Sequence, residues 1–311
     1  MGDLRKKTLD YLLYVSLRAV GAYIHVSGLR ISYRTARFLG DLMYRFDRRH
    51  RQRALRHLEL SFPVWSAAKR RQVARASMRN LLYLGLEIAL TTRMITPARW
   101  RRHVRLANMA ATIRRLLLRQ TGLIFLTGHF GNWEVTGYTM ATLGFPTYAM
   151  ARALNNPYVN RWLLGVRENT GLVILDKFGA TMQTEDLLRD RQVVGFIADQ
   201  TAGRKGCFVD FFGRKASTYR SIALLAMRHR APIVVAYGRR LGESFQFEIG
   251  VSRTILPAEW ADKDDPATWI TQEYTRALED VVRSAPEQYV WTHRRWKHRP
   301  AGEREDPDGV A

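Results

Sequence analysis

From residue 122 onward, short apolar runs alternate with stretches of helical pattern, and this alternation restricts the fold more than any other feature. The runs are rich in Val, Ile, Leu and Phe, as expected of strands buried on both faces. The pattern predicts an α/β fold with a mixed, largely parallel central sheet flanked by helices. Strands are expected at 122–127, 146–150, 172–176, 193–198, 232–238 and 244–250. Helices are expected at 133–143, 157–169, 181–190, 217–229 and 267–284.

The first part of the chain is strongly basic and is expected to be helical. Residues 1–120 carry 26 Lys and Arg against 6 Asp and Glu, whereas the rest of the chain is nearly balanced, at 24 against 22. The patterns at 53–62 and 66–90 predict amphipathic helices with interleaved arginines, and Pro97 is expected to open a third helix. Such a basic α-helical layer suits an anionic polymer or an anionic membrane face, or is simply a solvated surface.

An apolar run at residues 11–27 is the candidate for membrane contact. Arg18 interrupts the run, which is shorter than the roughly 20 residues that cross a bilayer. No small-residue cleavage site follows it, so a secretory signal peptide is not expected. Basic residues 5–7 precede it, as in a helix lying in the membrane surface, and an ordinary core helix shows the same pattern.

These features divide the chain into consecutive regions of one integrated domain. We expect a membrane-associating N-terminal helix over 1–30, the basic helical layer over 31–120, an α/β core over 121–295 and a polar C-terminal tail over 296–311. The single cysteine, Cys207, excludes an internal disulfide and is expected to be a small buried hydrophobe.

The stretch FLTGHFGNWEV, residues 125–135, places an ionisable pair at the end of the first predicted strand. In open α/β sheets, ligands bind beyond the carboxyl ends of the strands, and His129 and Glu134 fall at this position. Residues five apart do not face each other on a continuous helix, so the two side chains can meet only across a turn.

Glycines beside the histidine permit such a turn. Gly128 and Gly131 allow a tight bend, and Asn132 is a suitable N-cap for a helix that carries Glu134. The Glu134 carboxylate would then accept from one nitrogen of His129 and leave the other nitrogen as a general base. A histidine that is only satisfied structurally by a glutamate gives the same residues, and the sequence leaves both interpretations open.

The sequence offers no protein nucleophile and no metal site beside this pair. It has no G-x-S-x-G elbow, Cys207 lies in a separate segment, and no second His or Cys stands at metal-ligand spacing near His129. We therefore expect no metal and no cofactor, and a hydroxyl of the substrate as the nucleophile.

Several blocks resemble one enzyme family. GHFGNWE matches the His-X4-Asp/Glu motif of glycerolipid acyltransferases. The segments RRHRQRALRHLELSFP, RALNNPYVNRWLLGVRENTG and ADQTAGRKGCFVDFFGRKASTYRSIALLAMRHRAPIVVAYGRR resemble the other blocks of one branch of that superfamily. This branch holds the late acyltransferases of lipid A biosynthesis and the phosphatidylinositol mannoside acyltransferases, and the resemblance runs over roughly residues 5–295.

The resemblance implies acyl transfer without an acyl-enzyme. The donor would be an acyl thioester on acyl carrier protein or coenzyme A, and the acceptor a hydroxyl of a glycolipid or lysolipid. By resemblance, His129 is the general base and Glu134 its orienting partner. Backbone N–H groups near Gly131 and Asn132, or the Asn132 side chain, are candidates for stabilising the oxyanion.

The second block of the resemblance and its neighbours add binding candidates. Arg152 and Asn156 are expected to face the acceptor, and the planar fork of Arg152 suits a phosphorylated head group. Lys205, Arg214 and Arg220 are further candidates for phosphate or an acidic carrier, and each also fits a solvated surface position.

The third block places Asp199, Gln200 and Thr201 at the end of a predicted strand. Acyltransferases of this superfamily have head-group contacts at this position, so the three residues are expected to bind substrate. Many relatives carry a Glu-Gly pair here, whereas this chain has DQTAG, a departure that fits the lipid A branch.

The implied location is the cytoplasmic face of the bacterial inner membrane. Its partners would be the anionic membrane surface, a glycolipid acceptor and the acyl donor, with no nucleic acid. Two other functions fit part of the sequence: a thioesterase that uses the same dyad with water, and a nucleic-acid-binding protein based on the charge of residues 1–120. No recognised nucleic-acid motif accompanies that charge.

Overall fold

The computed structural model describes residues 2–145, 147–151, 153–168, 172–176 and 180–303, in which a helical layer precedes an α/β core. The layer consists of α1 (Gly2–Phe46), α2 (Arg48–Ser61) and α3 (Ala67–Met94). Gly28 has a φ of +75° and breaks α1, so the expected N-terminal helix continues beyond residue 30 after a kink.

The α/β core follows in the order that the sequence predicts, with additional strands. Its strands are β1 (Val104–Ala107), β2 (Leu123–Thr127), β3 (Thr147–Ala151), β4 (Leu172–Asp176), β5 (Val193–Ile197), β6 (Cys207–Phe211), β7 (Arg214–Thr218), β8 (Ile233–Arg240) and β9 (Phe247–Ile255). Its helices are α4 (Ala110–Leu118), α5 (Trp133–Thr142), α6 (Pro157–Glu168), α7 (Ala180–Arg189), α8 (Arg220–His229) and α9 (Pro266–Ser284).

The described strands form a mixed, largely parallel main sheet, which confirms the predicted fold class. Its order is β1-β9-β8-β2-β5-β3-β4, and only β8 and β9 pair antiparallel. Strand β2 lies at the centre and is buried over its whole length. Its side chains alternate, with Ile124 and Leu126 packing in the cluster that includes α8 and α9, and Phe125 in a separate cluster.

Two expectations about the borders of the core are wrong, and one hairpin was not expected. Pro97 does not open a helix: a 3-10 turn at Trp100–Arg102 leads into β1, which pairs with β9 and extends the sheet into the expected helical layer. Strands β6 and β7 form an antiparallel hairpin that the sequence analysis did not predict, and Cys207 at its start is only half-buried. The expected polar tail begins too early, because Trp296 is 2% exposed and packs edge-on against His57.

Candidate active site

The carboxyl ends of two neighbouring strands bring His129 and Asp199 together. Strands β2 and β5 are parallel, with Thr127 opposite Ile197, so the residues two positions further along each strand lie side by side. Nδ1 of His129 is 2.7 Å from Oδ1 of Asp199, and the backbone N–H of His129 donates to Oδ2 over 2.8 Å. The sheet therefore supplies the imidazole with a carboxylate partner that is distant in sequence.

Asp199 fixes the protonation pattern of this pair. Burial of Asp199 opposes its ionisation, but the charge and hydrogen bonds of His129 outweigh burial and hold the pKa of Asp199 below its usual value. An ionised carboxylate only accepts, so Nδ1 of His129 carries a proton, and in the neutral ring Nε2 is then the nitrogen with the lone pair. The His129 side chain is 18% exposed, whereas that of Asp199 is 2% exposed, so the ring lies on the accessible side of the pair.

Aromatic and polar side chains surround the His129 ring. The ring of Trp133 packs edge-on against it at a centroid distance of 4.9 Å, and the ring of His293 lies 4.5 Å away. Gln200 stands between the two imidazoles, with Nε2 at 3.3 Å from Nε2 of His129 and 2.9 Å from Nδ1 of His293. Burial, together with the nearby charge of His129, lowers the pKa of His293 to about 4, so His293 is neutral at pH 7.

Backbone hydrogen bonds hold the loop that carries His129. Gly131 has a φ of +56°, and its N–H donates to the Gln288 carbonyl over 2.9 Å. The N–H of Asn132 donates to the Gly238 carbonyl over 2.8 Å. A Cβ atom at position 131 would lie 1.9 Å from the oxygen of Gly238, so only glycine fits this approach of the loop to β8.

The expected oxyanion role of Gly131 and Asn132 is corrected by these contacts. Both backbone N–H groups already donate to carbonyl oxygens of the protein. The Asn132 side chain is fully buried, where Nδ2 donates to Oε2 of Glu87 over 2.8 Å and Oδ1 accepts from the N–H of Val135 over 2.9 Å. Asn132 is thus the N-cap of α5, as predicted, and its donors are not available to a substrate.

The expected contact between Glu134 and His129 is also wrong. Glu134 is the second residue of α5 and pairs with Arg167 of α6, accepting from both Nε, over 2.9 Å, and Nη2. The helix begins directly after the loop, so the Glu134 carboxylate reaches the neighbouring helix. The imidazole of His129 is hydrogen-bonded to Asp199 instead. Both members of the Glu134–Arg167 pair are largely buried, at 12% and 17% exposure.

A buried polar network joins the helical layer to the same loop. Glu87 of α3 is completely buried and accepts from the Tyr33 hydroxyl over 2.8 Å, from Asn132 and from Nε of Arg240. Burial raises the pKa of Glu87, and the Arg240 charge opposes that rise. Arg240 also donates to Asn80 of α3. The network fixes the N-cap of α5 against helices α1 and α3, and of its members only Asn132 is predicted from the sequence.

One binding candidate of the second block, Asn156, lies away from these contacts. Arg152 falls outside the described residues. Asn156 caps α6, where Oδ1 accepts from the backbone N–H groups of Tyr158 and Val159 over 3.0 and 3.1 Å. Its Nδ2 donates to the Asp10 carbonyl of α1 over 2.8 Å, so the amide links two helices and does not face an open site.

The remaining candidates surround the hairpin and the start of α8. The Thr201 hydroxyl accepts from the N–H of Gly203 over 3.4 Å, and Lys205 is exposed. Arg214 begins β7 and is half-buried, and Arg220 begins α8 and lies 3.8 Å from Asp265. Their expected contacts with phosphate or with an acidic carrier stay predictions.

Apolar cavities extend from the Glu134–Arg167 pair towards α1. A cavity of about 70 Å³ lies between the sheet, α5 and α6, and both members of the pair and Trp133 line it. A smaller pocket beside the pair includes Ile88 of α3. Ile88 also lines a cavity of about 340 Å³ between α1, α3 and α6, whose walls are almost entirely apolar.

Helix α1 exposes most of its apolar side chains. Within the described residues, the Arg5–Phe46 part of α1 is the one stretch that is long and apolar enough to cross a membrane. Val26 is 88% exposed, and other large hydrophobic residues of α1 are exposed along its length, including Leu9, Leu12, Leu13, Val20 and Phe38.

Comparison with known proteins gives one consistent family. The family model of the bacterial lipid A biosynthesis acyltransferases matches residues 4–298. The chain is 27% identical over 281 residues to the lipid A biosynthesis lauroyltransferase of Escherichia coli, covering 88% of this chain and 87% of that protein. It is 26% identical to the lipid A biosynthesis palmitoleoyltransferase of the same organism, and the match covers 85% of this chain and 84% of that protein. The lipid A biosynthesis acyltransferase of Haemophilus influenzae is 23% identical, with 82% and 78% covered.

Proposed function

Because the chain belongs to the bacterial lipid A biosynthesis acyltransferase family, we propose that it moves a fatty acyl group from an acyl thioester to a hydroxyl of a lipid A-type acceptor, with His129 as the general base. The observation that carries the proposal is the His129–Asp199 pair at the carboxyl edge of the sheet, in which Asp199 binds Nδ1 and Nε2 lies on the side of the ring away from the carboxylate. A base of this kind deprotonates a hydroxyl in the transition state.

The transfer proceeds by direct attack. The acceptor hydroxyl gives its proton to Nε2 of His129 while its oxygen attacks the thioester carbonyl carbon. Collapse of the tetrahedral intermediate breaks the C–S bond, and the leaving sulfur takes the proton from the imidazolium. No acyl-enzyme is needed: Cys207 lies in the hairpin, where its Sγ is 3.5 Å from the Thr268 hydroxyl and not beside the base.

Asp199 takes the role that was expected of Glu134. Its carboxylate keeps the imidazole in the tautomer with Nε2 free and stabilises the imidazolium that forms when the base takes a proton. The two hydrogen bonds to one residue also fix the ring plane. Asp199 is therefore a positioning residue and not a head-group ligand.

Glu134 acts on the reaction through Arg167. The bidentate pair holds the guanidinium at the edge of the 70 Å³ cavity, next to the helix start that also carries Trp133. The positive end of the α5 dipole lies at the same place and favours the negative charge that develops on the carbonyl oxygen. This combination gives the His-X4-Glu motif a physical reason without a His–Glu hydrogen bond.

The apolar cavities provide a route for acyl chains. The cavity at Trp133 shares Glu134 and Arg167 with a small pocket that Ile88 lines, and Ile88 also borders the larger cavity against α1. An acyl chain that enters these cavities is removed from water, which stabilises binding by about 0.8 kcal/mol for each buried CH2 group. The exposed apolar face of α1 continues from this cavity and would contact the bilayer of the inner membrane.

The basic residues suit the same surroundings. Both an anionic leaflet and an acidic acyl carrier protein are attracted to the excess positive charge of residues 1–120. We therefore propose acyl carrier protein as the donor carrier, with coenzyme A as the alternative.

An acyl-transfer assay tests the proposal. The purified protein is incubated with acyl thioesters of acyl carrier protein or of coenzyme A, each with and without a lipid A precursor, and the products are identified by mass spectrometry. We expect the precursor to gain the mass of one acyl group. Release of free fatty acid at the same rate with and without the precursor would instead favour the thioesterase.

A further inference from the structure

Gln200 lies between two imidazole rings on the open side of the site. Its Nε2 atom is 3.3 Å from Nε2 of His129 and 2.9 Å from Nδ1 of His293. Gln200 is exposed, whereas Asp199 on the opposite side of the His129 ring is buried. The amide of Gln200 therefore stands where a substrate must reach the base.

The hydrogen-bond pattern determines which atoms donate. Asp199 accepts the Nδ1 proton of His129, so Nε2 of the neutral His129 ring can only accept. The amide NH2 of Gln200 has two protons and donates one to each imidazole nitrogen. The contact with His293 is the shorter one and holds the amide, and the longer contact with His129 is the one that a substrate can replace.

The C-terminal segment holds Gln200 at both ends. His293 accepts from its side-chain amide, and Nη1 of Arg295 lies 3.4 Å from its backbone carbonyl. Arg295 is 2% exposed and is itself fixed by the Ser217 carbonyl, at 2.7 Å, and by the Thr218 hydroxyl. The half-buried His293 thus aims the amide, and the buried Arg295 holds the backbone, although Gln200 itself is exposed.

We propose that Nε2 of Gln200 and Nε2 of His129 form a two-point seat for the acceptor hydroxyl, and that His293 is the positioning residue that aims the Gln200 amide. One oxygen placed against both nitrogens accepts from Gln200 and donates its proton to His129. A hydroxyl satisfies both contacts and keeps a second lone pair for attack on the thioester carbonyl. The seat therefore selects and orients the acceptor.

This inference rests on the proposed function and predicts an effect confined to the acceptor. In the transfer, the O–C bond forms, the C–S bond breaks, and the hydroxyl proton passes through His129 to the leaving sulfur. Gln200 contacts only the hydroxyl in this scheme. Loss of the seat should weaken binding of the lipid acceptor and leave binding of the thioester donor unchanged.

Steady-state kinetics with lauroyl–acyl carrier protein and a lipid A precursor test the seat. Gln200→Glu keeps the side-chain shape but replaces the donating NH2 by an accepting oxygen. We expect KM for the precursor to rise about tenfold, as for loss of one hydrogen bond, with KM for the donor unchanged. Gln120→Glu makes the same change at an exposed position at the opposite end of β2 and should leave both constants at the wild-type values.

Variants of His293 test the positioning role. His293→Ala removes the acceptor for the Gln200 amide and should raise KM for the precursor to a similar extent as Gln200→Glu. His293→Asn offers Oδ1 in place of Nδ1 and should recover most of the affinity. A merely structural loss would lower the amount of active enzyme, which reduces kcat and leaves both KM values unchanged.

Two results overturn the inference. One is an unchanged KM for the precursor in Gln200→Glu, and the other is a fall in kcat alone in both Gln200→Glu and His293→Ala. Failure of the proposed function is recognised separately, because it would leave turnover intact in His129→Ala.

Discussion

Asp199 holds His129 from the neighbouring strand through two hydrogen bonds, one to Nδ1 at 2.7 Å and one from the backbone N–H at 2.8 Å. The carboxylate is buried, and its pKa is held below the usual value by His129 despite that burial. The pair therefore enters the reaction with a fixed tautomer and with Nε2 facing the exposed Gln200, on the side away from the carboxylate.

Asp199→Asn tests this relationship. The amide can donate to Nδ1, which would place the imidazole proton on Nε2 and remove the base, so we expect acyl transfer to fall by about 10²- to 10⁴-fold. Turnover is measured alongside the thermal unfolding midpoint. Asp262→Asn, an exposed aspartate paired with Lys263, is the control and should retain wild-type turnover. Equal turnover in the two variants would refute the role of Asp199.

Gly131→Ala tests the packing of the loop against β8. The added Cβ would meet the Gly238 oxygen at 1.9 Å, so the loop must move and we expect transfer to be lost together with much of the stability. Gly144→Ala is the matched control: it also has a positive φ, of +86°, but nothing lies within 4 Å of its added Cβ. That variant should lose only about 1 kcal/mol of the free energy of unfolding. Similar losses in both would show that backbone conformation, and not the contact with Gly238, restricts position 131.

Glu87→Gln tests the network between the helical layer and the loop. Arg240 is 5% exposed and would be left in the interior without a carboxylate partner. We therefore expect the free energy of unfolding to decrease by about 3 kcal/mol. Denaturant titration measures the change. Glu59→Gln removes an exposed carboxylate beside Arg56 and should cost less than about 0.5 kcal/mol. A cost for Glu87→Gln as small as that of the control would contradict the network.

The lowered pKa of the half-buried His293 predicts a pH dependence of stability. Its pKa is about 4 in the folded protein, so between that value and about 6.5 the unfolded chain binds a proton that the folded chain does not. The free energy of unfolding should therefore keep the full contribution of His293 above pH 6.5 and lose about 3 kcal/mol of it as the pH decreases towards 4. The lowered pKa of Asp199 keeps that carboxylate ionised throughout this window. In His293→Asn the loss of unfolding free energy between these pH values should be smaller by this amount. Plots of unfolding free energy against pH with the same shape in the variant and the wild type would contradict the role of His293.

The sequence predicts the parallel strands and the position of His129, because both depend on local patterns. Continuous apolar runs identify buried strands, and the glycines and Asn132 identify the turn and the helix start. It does not identify the partner of His129, since β2 and β5 are separated by two further strands in sequence and their adjacency is a property of the sheet order. Asp199 was predicted at a strand end as a substrate-binding residue, and its contact with His129 was not predicted.

The other missed residues lie in segments without periodicity. His293 comes from an irregular C-terminal segment, and only its position between buried tryptophans, in VWTHRRW, indicates that it belongs to the core. Glu87 and Arg240 are charged residues within a helix and a strand, and such residues are normally expected on the surface. Their pairing depends on how α3 packs against the sheet, which the sequence pattern does not contain.

Turnover of His129→Ala tests the central claim most directly. The variant is assayed for acyl transfer to a lipid A precursor, and its thermal unfolding is compared with that of the wild type to show that it folds. The base in this scheme is the Nε2 nitrogen of His129, so we predict a loss of at least about 10²-fold in turnover with an unchanged unfolding midpoint. A folded His129→Ala protein with full turnover would contradict the mechanism.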